Sequence, residues 1–234
     1  MANLQIRMSI VNIIDKYISG ITVDEFHRYK SWDNCFQAFS GSKQSEIQVL
    51  ELAFYLASWG MYRGSGGLLQ KNHLIHKGAV DIVYSKNNQK LKCSQTTEVK
   101  IETINAIIEV KNELAKHYSS IHFTKGADKP KPISPTDTLL SKIMLGTLGC
   151  VPAYDRYFID GLKEMKMQNT GFNEASLNEL FNFIDKNKKE IDQAQKLIKI
   201  KTQRHYPLMK IMDMYFWQIG YNKDVEAKKK KNGK

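Results

Sequence analysis

The residues with the clearest chemical potential lie between positions 129 and 156, where a basic loop leads through a helix to an aspartate. Ser134-Pro135-Thr136-Asp137 has the composition of a helix start, with a serine cap, a proline at the first helical position and a carboxylate. Free amides and the helix dipole at such a start favour an anion, so the segment predicts a phosphate site. An apolar helix ending at Gly149 and a tight extended stretch then deliver Asp155 at the start of another helix.

The charge of the chain points to the same kind of ligand. The net charge is +11, and the excess is clustered in the basic loop, in residues 186–204 and in the last seven residues. Clustered cations favour nucleic acid, because each neutralised phosphate releases counterions. We expect double-stranded DNA as the partner, with its backbone bound by Lys129, Lys131, Ser134, Thr136, Lys142 and Arg156. The alternative is a solvated helix face with a solubilising tail.

Several function classes are disfavoured by what the sequence does not contain. G-x-S-x-G, the phosphate-binding G-x-x-x-x-G-K and His-Glu-x-x-His do not occur. His73 and His76 share a helical spacing but have no third ligand nearby, so we expect neither a metal nor an organic cofactor. The three cysteines are widely spaced and odd in number, and no apolar run of membrane-spanning length occurs. These features predict a cytoplasmic protein that does not span a membrane.

The elements that must position these residues are helical almost throughout. The apolar spacing predicts an all-α fold of about ten helices in one or two packed lobes, with a cleft between the lobes if there are two. Residues 1–222 are expected to form this single unit, and residues 223–234 a basic, flexible tail. The short segment Lys90-Leu91-Lys92-Cys93 is the only strand candidate.

Four helix predictions are specific enough to be checked. The first helix should end at Gly20, and the capping box Thr22-Val23-Asp24-Glu25 should start the second. A third helix, at about 45–61, is apolar on nearly every face, which places it at the centre of the domain. One long helix should cover about 174–203.

The segment around Asp155 resembles the helix-hairpin-helix DNA glycosylase superfamily. Leu148-Gly149-Cys150-Val151-Pro152-Ala153-Tyr154-Asp155 is similar to the stretch in which a helix is followed by a glycine, apolar residues and the catalytic aspartate. The resemblance covers about 25 residues, together with the helical character of the rest. In place of the family's L-P-G-x-G hairpin, this chain has Lys131-Pro132-Ile133-Ser134-Pro135.

The resemblance implies a catalytic role for Asp155. As a base departs, positive charge builds on the sugar, and a carboxylate beside C1′ stabilises it and orients the attacking water. The base must first be flipped into a pocket. Trp59, Tyr62 and Arg63, beside the glycine-rich segment 64–67, are candidates for the wall and a cation of that pocket, and Tyr154 is a candidate for stacking on the base.

The resemblance also bears on the product and the substrate. Some members form a Schiff base through a lysine near the hairpin, but Lys131 lies too early and Lys142 lies within the helix. A monofunctional enzyme that leaves an abasic site is therefore expected. The divergent hairpin suggests an unusual base, and anti-phage glycosylases that remove hypermodified cytosines are one such class.

Each of these interpretations has a structural alternative. Asp155 has the position of an ordinary helix cap that pairs with Arg156. Tyr154, Tyr157 and Trp217 have apolar neighbours typical of core residues, and the turn after Arg63 has the composition of either a phosphate nest or a glycine cap. The alternative functions are a non-catalytic nucleic-acid-binding or defence-complex subunit and a helical protein scaffold.

Overall fold

The computed structural model describes residues 9–63, 67–126 and 129–232, with side chains through residue 230. Within that part of the chain, ten α-helices contain most of the residues, which confirms the predicted all-α class. They are α1 (Ile10–Thr22), α2 (Lys30–Ala38), α3 (Ser45–Ser58), α4 (Lys77–Val83), α5 (Ile104–Ser119), α6 (Asp137–Thr147), α7 (Arg156–Glu164), α8 (Glu174–Lys186), α9 (Lys188–Thr202) and α10 (Leu208–Asn232).

Short elements connect these helices. In the residues that the structure describes, four 3-10 helices cover Gly67–Gln70, His73–His76, Asn88–Leu91 and Ile101–Thr103. Between α5 and α6 the chain forms two antiparallel strands, β1 (His122–Phe123) and β2 (Lys131–Pro132), in which His122 pairs with Pro132. The strand candidate at 90–93 does not form a strand, since its first residues belong to a 3-10 helix.

The centre of the fold is formed by α6 and α10. All α6 residues from 139 to 147 are buried, and so are residues 209–220 of α10. The prediction that α3 is central was wrong. Its residues Ile47, Leu50 and Phe54 are exposed because their spacing places them on one outward face, while Leu52 and Leu56 on the other side are fully buried. The apolar composition of α3 alone did not show which of its faces packs against the core.

Three helix boundaries differ from those predicted. Helix α1 continues through Gly20 to Thr22, and the capping box at 22–25 is not used, because the Thr22 hydroxyl lies in the last turn of α1 and donates to the Ser19 carbonyl. Helix α2 begins only at Lys30. The predicted long helix is divided at Asn187 into α8 and α9.

The C-terminal residues continue the last helix. Residues 223–232, for which the sequence predicts a flexible tail, extend α10. In the described part of the chain, no helix combines the length and the apolar character needed to cross a membrane.

The start of α10 is held by a carboxylate whose protonation should affect stability. Glu98 accepts a hydrogen bond from the Leu208 amide at 3.1 Å, and its other oxygen lies 3.2 Å from Nε2 of His205. Burial raises the pKa of Glu98 to about 7, although the amide of Leu208 and the side chain of Gln195 oppose that shift. The folded state therefore holds a proton that the unfolded chain releases at lower pH, and stability falls as the pH rises towards 7.

Replacing Glu98 with glutamine should remove this pH dependence. The neutral amide keeps an acceptor oxygen for the Leu208 amide but does not titrate. We expect wild-type protein to lose more Tm than Glu98→Gln when the pH is raised from about 5 to about 8, as measured by thermal unfolding in matched buffers. Equal losses in the two proteins would show that Glu98 is not the responsible group.

Candidate active site

The start of α6 faces the candidate site, but it lies two residues later than predicted. Thr136, not Ser134, is the cap, and its Oγ1 accepts a bond from the Leu139 amide at 3.2 Å. Its extended backbone allows that bond, and the helix begins at Asp137. The predicted Ser134 cap was therefore wrong. The helix still begins beside the candidate site, because Thr136 borders its cavity.

A glycine at the end of α6 redirects the chain towards Asp155. Gly149 has a φ of +70°, in the left-handed region that favours glycine. The amides of Leu148 and Gly149 both donate to the Met144 carbonyl at 2.9 Å, which closes the helix. A Cβ on Gly149 would also press against Phe36 and Pro207, both 2.9 Å away.

The loop that follows is fixed on both sides by buried polar groups. From α6, Ser141 accepts a bond from the Tyr154 amide at 2.9 Å, and Thr138 donates to the Tyr154 carbonyl at 2.8 Å. From α10, the Asp213 carboxylate accepts a bond from the Ala153 amide at 3.0 Å. The position of Asp155 is therefore set by both central helices.

Both carboxylate oxygens of Asp155 have a partner. Oδ1 caps α7 by accepting a bond from the Phe158 amide at 3.1 Å, as the structural alternative predicted. Oδ2 accepts a bond from Lys142 Nζ at 2.9 Å, whereas Arg156, the partner expected for Asp155, pairs with Asp224. The Lys142 side chain is 3% exposed and that of Asp155 is 16% exposed, so the acid is reachable while its charge is compensated.

Asp155 lies where two cavities of one cleft meet. The apolar chamber, about 590 Å³, is bounded by Leu68, Phe123, Ile133 and Leu139, and the aromatic chamber, about 530 Å³, by Trp59, Tyr157 and Trp217. The residues that border both chambers are Met61, Arg63, Thr138, Asp155 and Arg156. Each chamber has the volume of a small-molecule pocket.

The aromatic chamber combines ring faces with cations. Trp59 is stacked on Tyr29, with centroids 5.0 Å apart, and the Arg28 guanidinium lies 5.1 Å from the Trp59 ring. Lys142 is buried but also borders this chamber, and its Nζ lies 4.9 Å from the same ring. Aromatic faces bordered by guanidinium groups suit a flat polar ring and an anion.

No protein-family model, curated protein or solved structure gives a significant match to this chain. The chemistry of the cleft is therefore the basis for a functional proposal.

The structure brings most of the predicted site residues to this cleft. Two predicted pocket residues, Trp59 and Arg63, border the same cavity as Asp155. Four of the residues predicted to bind the DNA backbone border the apolar chamber: Lys131, Ser134, Thr136 and Arg156. Lys129 is exposed near the tip of the hairpin and is not among the described residues that border the cleft.

Two predicted pocket residues lie elsewhere. Tyr154 is buried in the core, stacked on Phe172 with a hydroxyl bond to Ser176 at 3.0 Å, and burial raises its pKa. Tyr62 bonds the buried His76 at 2.7 Å. The predicted stacking role of Tyr154 was wrong, because its ring packs in the core against Phe158 and Phe172. Tyr62 does not border the cleft and instead forms a hydrogen bond with His76.

Lys142 was predicted to contact the DNA backbone, and its burial contradicts this. It lies in the middle of α6 on the side that faces Asp155, and the ion pair with Asp155 compensates its burial. The expected segment from Gly64 to Gly66 lies outside the described residues.

Sequence reasoning missed several residues of the site. Asp213 and Lys210 form a second buried ion pair, at 2.9 Å, inside the mostly apolar first half of α10. A lysine and an aspartate three residues apart in such a run were the available signal, because charged residues are buried mainly in pairs. Nothing local marked Arg28, which reaches the cleft only through tertiary packing. Tyr157, for which the sequence favoured a core position over stacking on a base, also borders the aromatic chamber.

Proposed function

We propose that this chain is a DNA glycosylase-like hydrolase that cleaves the N-glycosidic bond between a flipped, modified base and its sugar and leaves an abasic site. The observation that carries the proposal is the position of Asp155. Its partly exposed carboxylate lies at the junction of two chambers, beside an aromatic wall and two arginines. Such a site combines a charge-stabilising acid with surfaces for a flat ring and for phosphate.

The reaction needs only water and this carboxylate. The bond between C1′ and the base nitrogen breaks, and its electron pair leaves with the base. Asp155 stabilises the positive charge that develops on the sugar, the water oxygen bonds to C1′, and the water's proton passes to the Asp155 carboxylate. The released base then takes up this proton, which restores the carboxylate. Lys142 is a positioning residue, because its nearly buried side chain borders the aromatic chamber and holds the acid through their ion pair.

The DNA backbone is proposed to cross the cleft opening. Thr136 places the start of α6, with its unpaired amides, at the apolar chamber, and Lys131 borders the same space. Arg63 and Arg156 border both chambers, where their guanidinium groups suit the phosphates on either side of a flipped nucleotide.

A modified base suits the size of the cleft. A base that enters the aromatic chamber along Trp59 leaves the adjoining chamber of about 590 Å³ for a substituent. A hypermodified cytosine is one base of this kind.

The second candidate is a nucleic-acid-binding module without catalysis. It is favoured by the fact that both oxygens of Asp155 have protein partners, as in an ordinary helix cap. In this case the basic cleft still binds DNA, but no bond is cleaved.

One experiment separates the two candidates. Purified protein is incubated with duplexes containing plain, hydroxymethylated or glycosylated cytosine and then heated in alkali, which breaks strands at abasic sites. Breaks that require the modified base support the hydrolase. Binding that weakens steeply with salt, without breaks on any duplex, supports the module. A protein that neither binds nor cleaves any of the three duplexes would contradict both candidate functions.

The environment of Lys142 predicts that no covalent intermediate forms. A lysine nucleophile must lose its proton and reach the sugar, but Lys142 is ion-paired with Asp155 and its side chain is 3% exposed. Borohydride added during turnover should trap no protein–DNA adduct on a denaturing gel. An adduct that disappears in Lys142→Met would instead assign the enzyme a Schiff-base step.

A further inference from the structure

A row of side chains on one face of α10 extends from the cleft towards the C-terminal end of the helix. Trp217 borders the aromatic chamber, and Tyr221, Asp224 and Lys228 follow at spacings of four, three and four residues. These spacings place the four side chains in one row. Glu226 lies on the opposite face of the helix.

This row is fixed to the rim of the cleft. Tyr221 stacks on Trp217, with centroids 5.1 Å apart and planes 9° apart. The Asp224 carboxylate accepts a bond from the Tyr157 hydroxyl at 3.0 Å and pairs with Arg156 at 3.5 Å and Lys228 at 2.8 Å. The C-terminal helix therefore has a defined direction away from Asp155.

One exposed ring and two lysines share this side of the helix. Tyr221 is 38% exposed, although it packs against Trp217 and Tyr157. Lys228 lies in the row, where it also pairs with Asp224, and the exposed Lys229 lies one position further around the helix. Proteins use a ring beside lysines to stack an unpaired base and bind the adjoining phosphates.

We propose that this α10 surface binds a DNA strand next to the cleft, with Tyr221 stacking on an unpaired base and Lys228 and Lys229 on the phosphates. The inference rests on DNA as the partner in the proposed function, and it adds a second contact surface. It gives a specific place to part of the C-terminal charge, for which the sequence left nucleic-acid binding and a solubilising tail as alternatives.

Salt-dependent binding tests the lysines. Lys228 and Lys229 are changed together to glutamine, and the control carries the same change at Lys188 and Lys189, two exposed α9 lysines that do not border the cleft. The probe is a labelled duplex with one unpaired base. We expect the α10 variant to lower the slope of log affinity against log salt by about 1 to 2, and the control by less than about 0.5. Equal changes would overturn the proposal.

Two substitutions test the tyrosine. Tyr221→Ala should reduce the preference for the unpaired-base duplex over a fully paired duplex by at least about fivefold, while Tyr221→Phe retains it. An unchanged preference in Tyr221→Ala overturns the stacking role, and melting curves show whether either variant is unfolded. Base release is measured on the same duplexes. If the wild-type protein releases base but the α10 variants bind DNA normally, only the α10 surface is refuted. If the α10 variants lose binding but no base is released, only the hydrolase is refuted.

Discussion

Asp155→Asn is expected to lower the rate of base release by about 10³-fold or more, while DNA binding persists. Asparagine can still cap α7, because its side-chain oxygen accepts the Phe158 amide as well as aspartate does. What it lacks is the negative charge that stabilises the developing positive charge on the sugar. Single-turnover release of base from the preferred duplex measures the effect.

Lys142 affects the interpretation of Asp155→Asn, because the substitution removes its ion-pair partner, and variants of Lys142 provide the control. Asp155→Asn leaves the buried Lys142 without its carboxylate, and breaking such a pair costs about 3 kcal/mol or more of stability. The double variant Lys142→Met/Asp155→Asn removes both charges and should recover much of that loss. Lys142→Met alone keeps the acid and should keep measurable release. If the double variant also releases base, Asp155 is only a helix cap.

The sequence was sufficient to predict the class of fold and the position of Asp155. Helical spacing of apolar residues is a local property, and so is the glycine that ends α6 before the loop. The same holds for the cap of α7, where an aspartate precedes the first turn. These features depend on residues within a few positions of one another.

Features that depend on tertiary contacts could not be predicted in the same way. Tyr154 and Trp59 are both aromatic residues near helix ends, yet one ring is buried against Phe172 and the other borders the cleft. Lys142 gave no local sign that it would meet Asp155, because the loop that returns the chain to α6 is set partly by Asp213 on α10. Side-chain direction at such positions is decided by distant segments.

The closest helix contact in the site is made by α7 and α10, and it depends on two glycines. A Cβ on Gly161 would clash with the carbonyl oxygen of Phe216, and a Cβ on Gly220 would clash with the carbonyl oxygen of Tyr157. The two backbones therefore approach at a distance that no side chain permits. Because Asp155 caps α7, this contact also sets the distance of the carboxylate from the aromatic chamber.

Gly161→Ala is expected to destabilise the protein by roughly 3 kcal/mol, since the clash is with backbone that cannot turn aside. Thermal unfolding measures the loss. Gly20→Ala is the matched control: Gly20 lies within α1, and its added Cβ would meet nothing within 4 Å. Greater helix propensity should leave that variant unchanged or more stable by about 0.5 to 1 kcal/mol.

Folded Gly161→Ala should also release base more slowly, because α7 is displaced together with Asp155, the acid that caps it. A Gly161→Ala protein as stable and active as Gly20→Ala would refute the close α7–α10 contact and, with it, the way the fold positions Asp155.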